Sequence, residues 1–132
     1  MNASEKRIQE ILGEDPQVSP INFRRYRAYL KKHTTFPVRV TGIEDFPWEE
    51  PYVMGGWDDE EYEELKKTNP SYTDEFELLD IIDPEDDDLV AVIRRISDKQ
   101  VLQIGLSWLT CTEKKSANHT MLKDYSIWKV NY

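Results

Sequence analysis

Acidic residues in pairs and short runs are the feature of this sequence whose type and spacing could do chemistry. They are separated by Pro, Gly and aromatic residues, a mixture typical of ordered loops. A hard cation such as Ca²⁺ takes about six to eight oxygen ligands from carboxylates, backbone carbonyls and water. We therefore consider nine acidic residues as candidate metal ligands: Glu44, Asp45, Glu49, Glu50, Asp58, Asp59, Glu61, Asp86 and Asp88.

The first candidates lie between residues 44 and 50, in a loop that also contains Phe46 and Trp48. We expect these rings to pin the loop to the core, which would hold the carboxylates in place despite their mutual repulsion. The pair Gly55-Gly56 follows and would let backbone carbonyls turn toward an ion. The loop is therefore the main predicted site.

The second group, Asp58, Asp59 and Glu61, stands at the start of a short helix predicted over 60–67. An acidic residue at a helix N-terminus also serves as a cap, so the first two have competing interpretations. The third group, Asp86 and Asp88, belongs to the charged turn 83–88 and forms a second, weaker predicted site.

The charged turn does not make an EF-hand. Asp83, Glu85 and Asp87 imitate the first three ligands of that loop. However, position six is Asp88 where the motif requires Gly, and position twelve is Arg94 where it requires Glu. Any Ca²⁺ site in this sequence must therefore be of another kind.

Residues for other chemistries are sparse. His33 and His119 are the two histidines, and both are predicted to be surface or turn residues. Cys111 is the one cysteine and is predicted to be a small buried hydrophobe. One cysteine and two distant histidines cannot supply the four ligands of a structural zinc site. No nucleophile elbow, phosphate loop or dinucleotide fingerprint is present. The acidic residues do not single out one pair for glycosidase-type chemistry, so we do not expect an enzyme.

The excess negative charge is confined to one segment. The net charge is −9, but residues 41–88 carry nineteen Asp or Glu and two Lys, whereas each flank carries a net charge of +4. This segment repels itself unless cations neutralise it, and it disfavours nucleic acid as the main partner. Composition alone leaves two interpretations about even: cation binding, and a solvated face that keeps the protein soluble.

An alternative function is an acidic interaction module that docks onto a basic protein partner. The acidic segment would then provide the electrostatic surface, with Trp48, Tyr52 and Trp57 as anchors.

The elements that must position these residues indicate one α+β domain over residues 1–132. Residues 1–18 are predicted to form a short frayed helix and a flexible N-terminal arm. Ser19-Pro20 starts a helix in which Phe23, Tyr26 and Leu30 make an apolar stripe. Predicted strands follow in a small antiparallel β-barrel (SH3-like) or sandwich, over residues 36–43, 73–82, 89–96, 101–109 and 126–132.

Three stretches of the sequence resemble the cyanobacterial-type calcium-binding protein family, whose members lack EF-hands. They are residues 22–30, the acidic and aromatic run 48–56, and the C-terminal residues 124–132. The resemblance implies a small acidic protein that binds Ca²⁺ through carboxylate-rich surface loops and buffers or senses calcium in the cytoplasm. It brings no residue-level ligand motif, so the candidate ligands rest on the local argument above.

The expected ligand is Ca²⁺, and the expected protein partner is a regulatory protein or a protease. We expect a monomer that contacts neither nucleic acid nor membrane. The N-terminal residues lack the apolar region of a secretory signal, and no apolar stretch reaches the roughly 20 residues that cross a bilayer. With a single cysteine, these features favour the cytoplasm.

Overall fold

Five helices and five strands are present in a computed structural model that describes all residues, 1–132. The helices are α1 (Ala3–Leu12), α2 (Pro20–His33), α3 (Glu50–Val53), α4 (Asp59–Leu65) and α5 (Ala117–Asn131). The strands are β1 (Val38–Gly42), β2 (Glu75–Glu85), β3 (Asp88–Arg95), β4 (Val101–Gly105) and β5 (Leu109–Cys111), with a 3₁₀ turn over Leu106–Trp108. None of the helices is long and apolar enough to span a membrane.

The five strands form one antiparallel sheet in the order β4-β3-β2-β1-β5. The predicted charged turn over 83–88 shrinks to Asp86 and Asp87, because β2 continues to Glu85 and β3 begins at Asp88. Both turn residues have positive φ, 49° and 62°. A two-residue hairpin of this shape favours residues that tolerate the left-handed region, among them Asp.

The predicted α+β class with a small antiparallel sheet is confirmed, but the sheet is open, with β4 and β5 at its edges. The strand predicted over 126–132 is wrong, because residues 126–131 belong to α5 and Tyr132 is its C-cap. Its Ile, Trp, Val and Tyr residues are typical of strands, whereas the helix begins much earlier, at the Ser116 cap. The predicted strand over 101–109 is also interrupted, since Gly105 ends β4 and the 3₁₀ turn follows.

An aromatic cluster joins the helices to one another beneath the sheet. The predicted stripe of α2 is confirmed, since Phe23, Tyr26 and Leu30 are all buried. Tyr26 packs against Trp128 and Tyr125 of α5, with ring centroids 5.0 and 5.3 Å apart. Burial of such large rings provides much of the apolar area that stabilises a chain of this length.

The segment predicted as a flexible N-terminal arm contains a docked helix. Asn2 and Glu5 cap α1 reciprocally, and Ile8 and Leu12 are buried. Arg7 binds the buried carboxylate of Asp124 with two hydrogen bonds, Nε to Oδ2 at 2.6 Å and Nη2 to Oδ1 at 3.1 Å. The hydrogen bond to Asp124 raises the pKa of Arg7.

We expect Arg7→Ala to lower the free energy of unfolding by about 1.5–3 kcal/mol, because it leaves the buried Asp124 carboxylate without its charged donor. Urea denaturation followed by circular dichroism measures this change. Lys6→Ala is the control, since the Lys6 side chain is exposed and makes no ion pair. Equal stability of the two variants would show that α1 is loosely attached.

Candidate functional site

The predicted pinning of the acidic loop by aromatic residues is visible in the packing of Phe46 and Trp48. Phe46 is fully buried. Trp48 packs against the core and donates its indole N–H to the carbonyl of Pro70 at 2.6 Å. The loop between β1 and α3 is thereby held against the segment that leads into β2.

Glu49 is the polar anchor of this loop, and it is fully buried. Its Oε1 accepts hydrogen bonds from the backbone N–H groups of Phe46 (3.2 Å) and Tyr72 (2.8 Å). Its Oε2 accepts from the hydroxyls of Tyr62 (2.6 Å) and Ser71 (2.8 Å). Both oxygens of this predicted ligand are therefore engaged by donors of the protein itself.

Three of the four bonds of Glu49 tie the acidic loop to α4, through Tyr62, and to Ser71 and Tyr72 in the segment that leads into β2. Burial, and then the hydrogen bond to Glu49, raise the pKa of Tyr62, so its hydroxyl stays protonated and donates. Sequence reasoning grouped Glu49 with Glu50, which is exposed and makes no side-chain hydrogen bond. Nothing local distinguishes the two residues.

Arg95 is a second anchor, and sequence reasoning missed it. Its side chain is 4% exposed. Its guanidinium binds two carboxylates and three backbone carbonyls, those of Asp74, Asp98, Lys66, Lys67 and Asn69, at 2.7–3.2 Å. It therefore satisfies the carbonyls at the end of α4 and fixes that helix to the sheet.

Three predicted ligands line one cleft. Glu44, Asp45 and Glu50 surround a volume of about 440 Å³, with Trp108 on its wall. None of the three carboxylates takes part in a side-chain hydrogen bond or an ion pair within the chain. Their oxygens are therefore open to an ion or to water.

The turn between β2 and β3 lines a neighbouring cleft of about 290 Å³ together with Gln103 and Trp108. Its acidic residues are Glu85, Asp86 and Asp88. Trp108 and Pro47 belong to both clefts, so the tertiary structure brings the two predicted loops to clefts that share one tryptophan.

The predicted ligands of the second cleft differ in how they are used. Asp88 is mostly buried, and it accepts the Tyr125 hydroxyl at 2.5 Å and the Ser107 hydroxyl at 2.6 Å. Asp86 is exposed, as is Glu85, and neither makes a side-chain hydrogen bond. The open oxygens of this cleft therefore belong to the turn, while Asp88 joins β3 to α5.

The remaining predicted ligands, Asp58, Asp59 and Glu61, line neither cleft. Asp58 caps α4, since its Oδ1 accepts from the backbone N–H groups of Glu60 at 2.9 Å and Glu61 at 3.3 Å. Asp58 therefore makes the capping hydrogen bonds that the sequence suggested as an alternative to metal binding. Asp59 and Glu61 are exposed on the first turn of the helix.

The donor chemistry of the clefts fits a hard cation, although the side chains do not yet converge on one point. Glu44, Asp45, Glu50, Glu85 and Asp86 all offer unengaged carboxylate oxygens, which are the ligands Ca²⁺ takes. No three acidic, histidine or cysteine side chains of the chain are close enough together to hold a metal ion. The clefts are thus open surfaces of suitable chemistry without a preformed cage.

The protein belongs to the class of small acidic α+β proteins. Its helices pack on an open antiparallel sheet, and its carboxylate-lined clefts lie beside one tryptophan. Two solved structures share this fold. Anabaena CcbP is 15% identical, with a TM-score of 0.61 over 95% of this chain and 87% of the other. A calcium-binding protein in its calcium-binding form is 16% identical, with a TM-score of 0.62 over 98% and 96%.

The TM-scores of 0.61 and 0.62 show that the fold is shared, and identities of 15% and 16% support no statement beyond the fold. The resemblance predicted from the sequence is therefore confirmed at the level of the fold. No protein-family model and no curated protein matches the sequence.

Proposed function

We propose that this chain binds Ca²⁺ without an EF-hand, in the two clefts beside Trp108. The main ligands are Glu44, Asp45 and Glu50, and the β2–β3 turn contributes a second, weaker site through Glu85 and Asp86. The observation that carries the proposal is the set of unengaged carboxylates lining both clefts. Support also comes from the shared fold with a protein described in a calcium-binding form.

Electrostatics explains why an ion would complete these clefts. Neighbouring carboxylates repel one another, and a divalent cation replaces that repulsion with attraction. Glu44 and Glu50 are exposed, so their side chains are free to turn toward an ion. Backbone carbonyls and water supply the ligands that the carboxylates do not.

The open clefts favour Ca²⁺ over Mg²⁺. Ca²⁺ accepts irregular coordination with variable ligand number, whereas Mg²⁺ requires a near-ideal octahedron and dehydrates reluctantly. Carboxylates that must turn to reach the ion can provide the irregular coordination of Ca²⁺ more readily than the octahedron of Mg²⁺.

The role that follows is that of a calcium buffer or sensor in the cytoplasm, related to CcbP, with no catalytic step. A sensor would pass the change on to a regulatory protein or a protease. Binding to the folded state alone also stabilises the fold by mass action, by about 2.7 kcal/mol when the free ion is 100 times above Kd.

Isothermal titration calorimetry at physiological ionic strength tests the proposal. We expect saturable heat with Ca²⁺, a larger response than with Mg²⁺, and its loss in the triple variant Glu44→Gln/Asp45→Asn/Glu50→Gln. The charge-matched control Asp59→Asn/Glu60→Gln/Glu61→Gln alters the same net charge on α4 and should keep the Ca²⁺ response.

Two results would contradict the assignment. A Mg²⁺ response equal to that of Ca²⁺ would remove the case for a dedicated calcium site. Loss of Ca²⁺ binding in the control, with retention in the cleft variant, would move the site to the start of α4.

A further inference from the structure

Four aromatic rings form a continuous ladder along α3 and α4. Trp57 packs edge-on against Tyr52 at 5.7 Å, and Tyr52 stacks on Tyr62 at 5.3 Å with the planes 7° apart. Tyr62 then contacts Trp48 at 5.7 Å between ring centroids. We refer to these four residues, Trp48, Tyr52, Tyr62 and Trp57, as the aromatic ladder. Its inner end is anchored in the core, and its outer end is Trp57.

The apolar side chains at the outer end of the ladder are largely exposed to solvent. Trp57 is 58% exposed, the neighbouring Met54 76% and Val53 40%. Scattered single apolar residues on a surface need no explanation, but adjacent ones mark interaction sites. Trp57 is also held in place by Tyr52, so its surface is presented in a defined orientation.

The charge around the outer end of the ladder is negative. Residues 44–64 contain ten Asp or Glu and no Lys or Arg. Such a rim repels acidic proteins, nucleic acids and anionic membranes, and attracts a basic segment. Aromatic faces beside carboxylates suit Arg and Lys in particular, because the ring attracts the cation and the carboxylate pairs with it.

The chain itself contains one example of this recognition. Lys66 places its Nζ 4.2 Å from the centre of the Tyr62 ring and 3.3 Å from Oε1 of Glu63. The ring and the carboxylate thus bind one cation jointly at the inner part of the ladder. The equivalent face of Trp57, beside Asp58 and Asp59 in sequence, has no cation from the chain.

We propose that Trp57, Met54 and the carboxylates at the start of α4 form a docking surface for an Arg- or Lys-bearing segment of a protein partner. A guanidinium stacks on the indole of Trp57 and pairs with Asp59, while apolar side chains of the segment cover Met54 and Val53. The surface does not include a Ca²⁺ ion, and its occupant is a peptide segment of positive charge.

A second copy of this chain is the less favoured occupant. The basic residues of α2 would have to supply the cations, and they are Arg24, Arg25, Arg27, Lys31 and Lys32. Some of them are engaged within their own molecule. Arg27 donates to the carbonyl of Ile81 at 2.9 Å, and Lys31 pairs with Asp80 at 3.0 Å. An external basic segment is free of these competing contacts.

Fluorescence anisotropy with a labelled peptide of alternating Arg and Leu residues, measured in the presence of chelator, tests the proposal. We expect saturable binding to the full chain, with Kd raised about tenfold by Trp57→Ala, because an exposed aromatic anchor is lost. Trp57→Phe should restore part of the affinity. Val130→Ala is the matched control, since Val130 is 77% exposed but lies outside the acidic segment.

The charge variants used for calcium separate the two proposals. Asp59→Asn/Glu60→Gln/Glu61→Gln should weaken the peptide complex while it keeps Ca²⁺ binding. Failure of Ca²⁺ to bind leaves the peptide measurement in chelator unaffected, so the two ideas fail independently.

Three outcomes would overturn the docking proposal. They are the absence of saturable binding up to about millimolar peptide, a Kd that Trp57→Ala leaves unchanged, and equal affinity for a peptide with Glu in place of Arg. Dimerisation of the chain in ultracentrifugation that Trp57→Ala abolishes would instead assign the surface to a second copy.

Discussion

Glu49→Ala is expected to lower the free energy of unfolding by about 3–5 kcal/mol, because several buried donors lose the acceptor that they share. The substitution removes both carboxylate oxygens and leaves three donors without an acceptor, the Tyr62 hydroxyl and the backbone N–H groups of Phe46 and Tyr72, while the Ser71 hydroxyl keeps Thr73 as a partner. Each unsatisfied buried donor costs about 1–3 kcal/mol before relaxation. Urea denaturation measures the change from the shift in midpoint at constant m.

Glu49→Gln should cost much less than the alanine variant. The amide oxygen can take the place of Oε1 in front of the two backbone donors. The amide nitrogen then faces the Tyr62 and Ser71 hydroxyls, which can rotate and accept because a hydroxyl is both donor and acceptor. A gradient from Gln to Ala would therefore identify hydrogen bonding, and not charge, as the main contribution.

Glu50→Ala is the matched control for Glu49→Ala, because it removes the adjacent carboxylate, which is exposed and makes no hydrogen bond. We expect a change within about 0.5 kcal/mol. If Glu49→Ala instead kept the stability of the ion-free protein and lost only Ca²⁺ binding, Glu49 would be a ligand and not the anchor of the acidic loop.

Arg95→Met is expected to have an effect of similar size, about 3–5 kcal/mol of unfolding free energy. The variant keeps the apolar volume but leaves Asp74 and Asp98 without their cation. It also leaves the carbonyls of Lys66 and Asn69 without a side-chain donor, while that of Lys67 keeps the side-chain amide of Gln100. Arg95→Lys should restore little of this stability, because an ammonium cannot reach acceptors spread around a planar guanidinium.

Arg94→Met is the control for Arg95→Met. Its side chain is 38% exposed and pairs with Glu77, so we expect a loss below about 1 kcal/mol. Equal losses in the two variants, measured by the same urea titration, would mean that the end of α4 does not depend on Arg95.

The acid dependence of stability provides a second measurement on the Arg95 variant. The hydrogen bond from Arg95 holds the pKa of Asp98 below its ordinary value. A carboxyl with a lowered folded pKa stabilises the protein above its unfolded pKa, and this stabilisation is lost as the pH falls through the folded value. We therefore expect the wild type to lose more stability than Arg95→Met on acidification below about pH 4.

Elements with a complete local signal could be predicted from the sequence. The Ser19 cap, Pro20 and the spacing of Phe23, Tyr26 and Leu30 define α2 without reference to any other part of the chain. The α5 helix shows the limit, since its last residues have strand-like composition. Its buried face depends on Leu122, Tyr125 and Trp128, which becomes evident only when the whole span from Ser116 is considered.

The candidate site divides in the same way. Its carboxylates, their confinement to one segment and the absence of an EF-hand loop follow from composition and spacing. Which carboxylates line neighbouring clefts does not, because Glu44 and Asp86 are far apart in sequence and their two clefts meet only at Pro47 and Trp108.

The sequence by itself determined an acidic α+β protein whose middle segment carries carboxylates among aromatic rings, because these properties depend on residue type and short-range order. Only the tertiary structure decided which carboxylates are free. Glu49 and Glu50 are adjacent and chemically identical, yet one is buried among four donors and the other faces a cleft. That difference arises from the donors of Tyr62 in α4 and of Ser71 and Tyr72 before β2, which lie against Glu49 and not against Glu50.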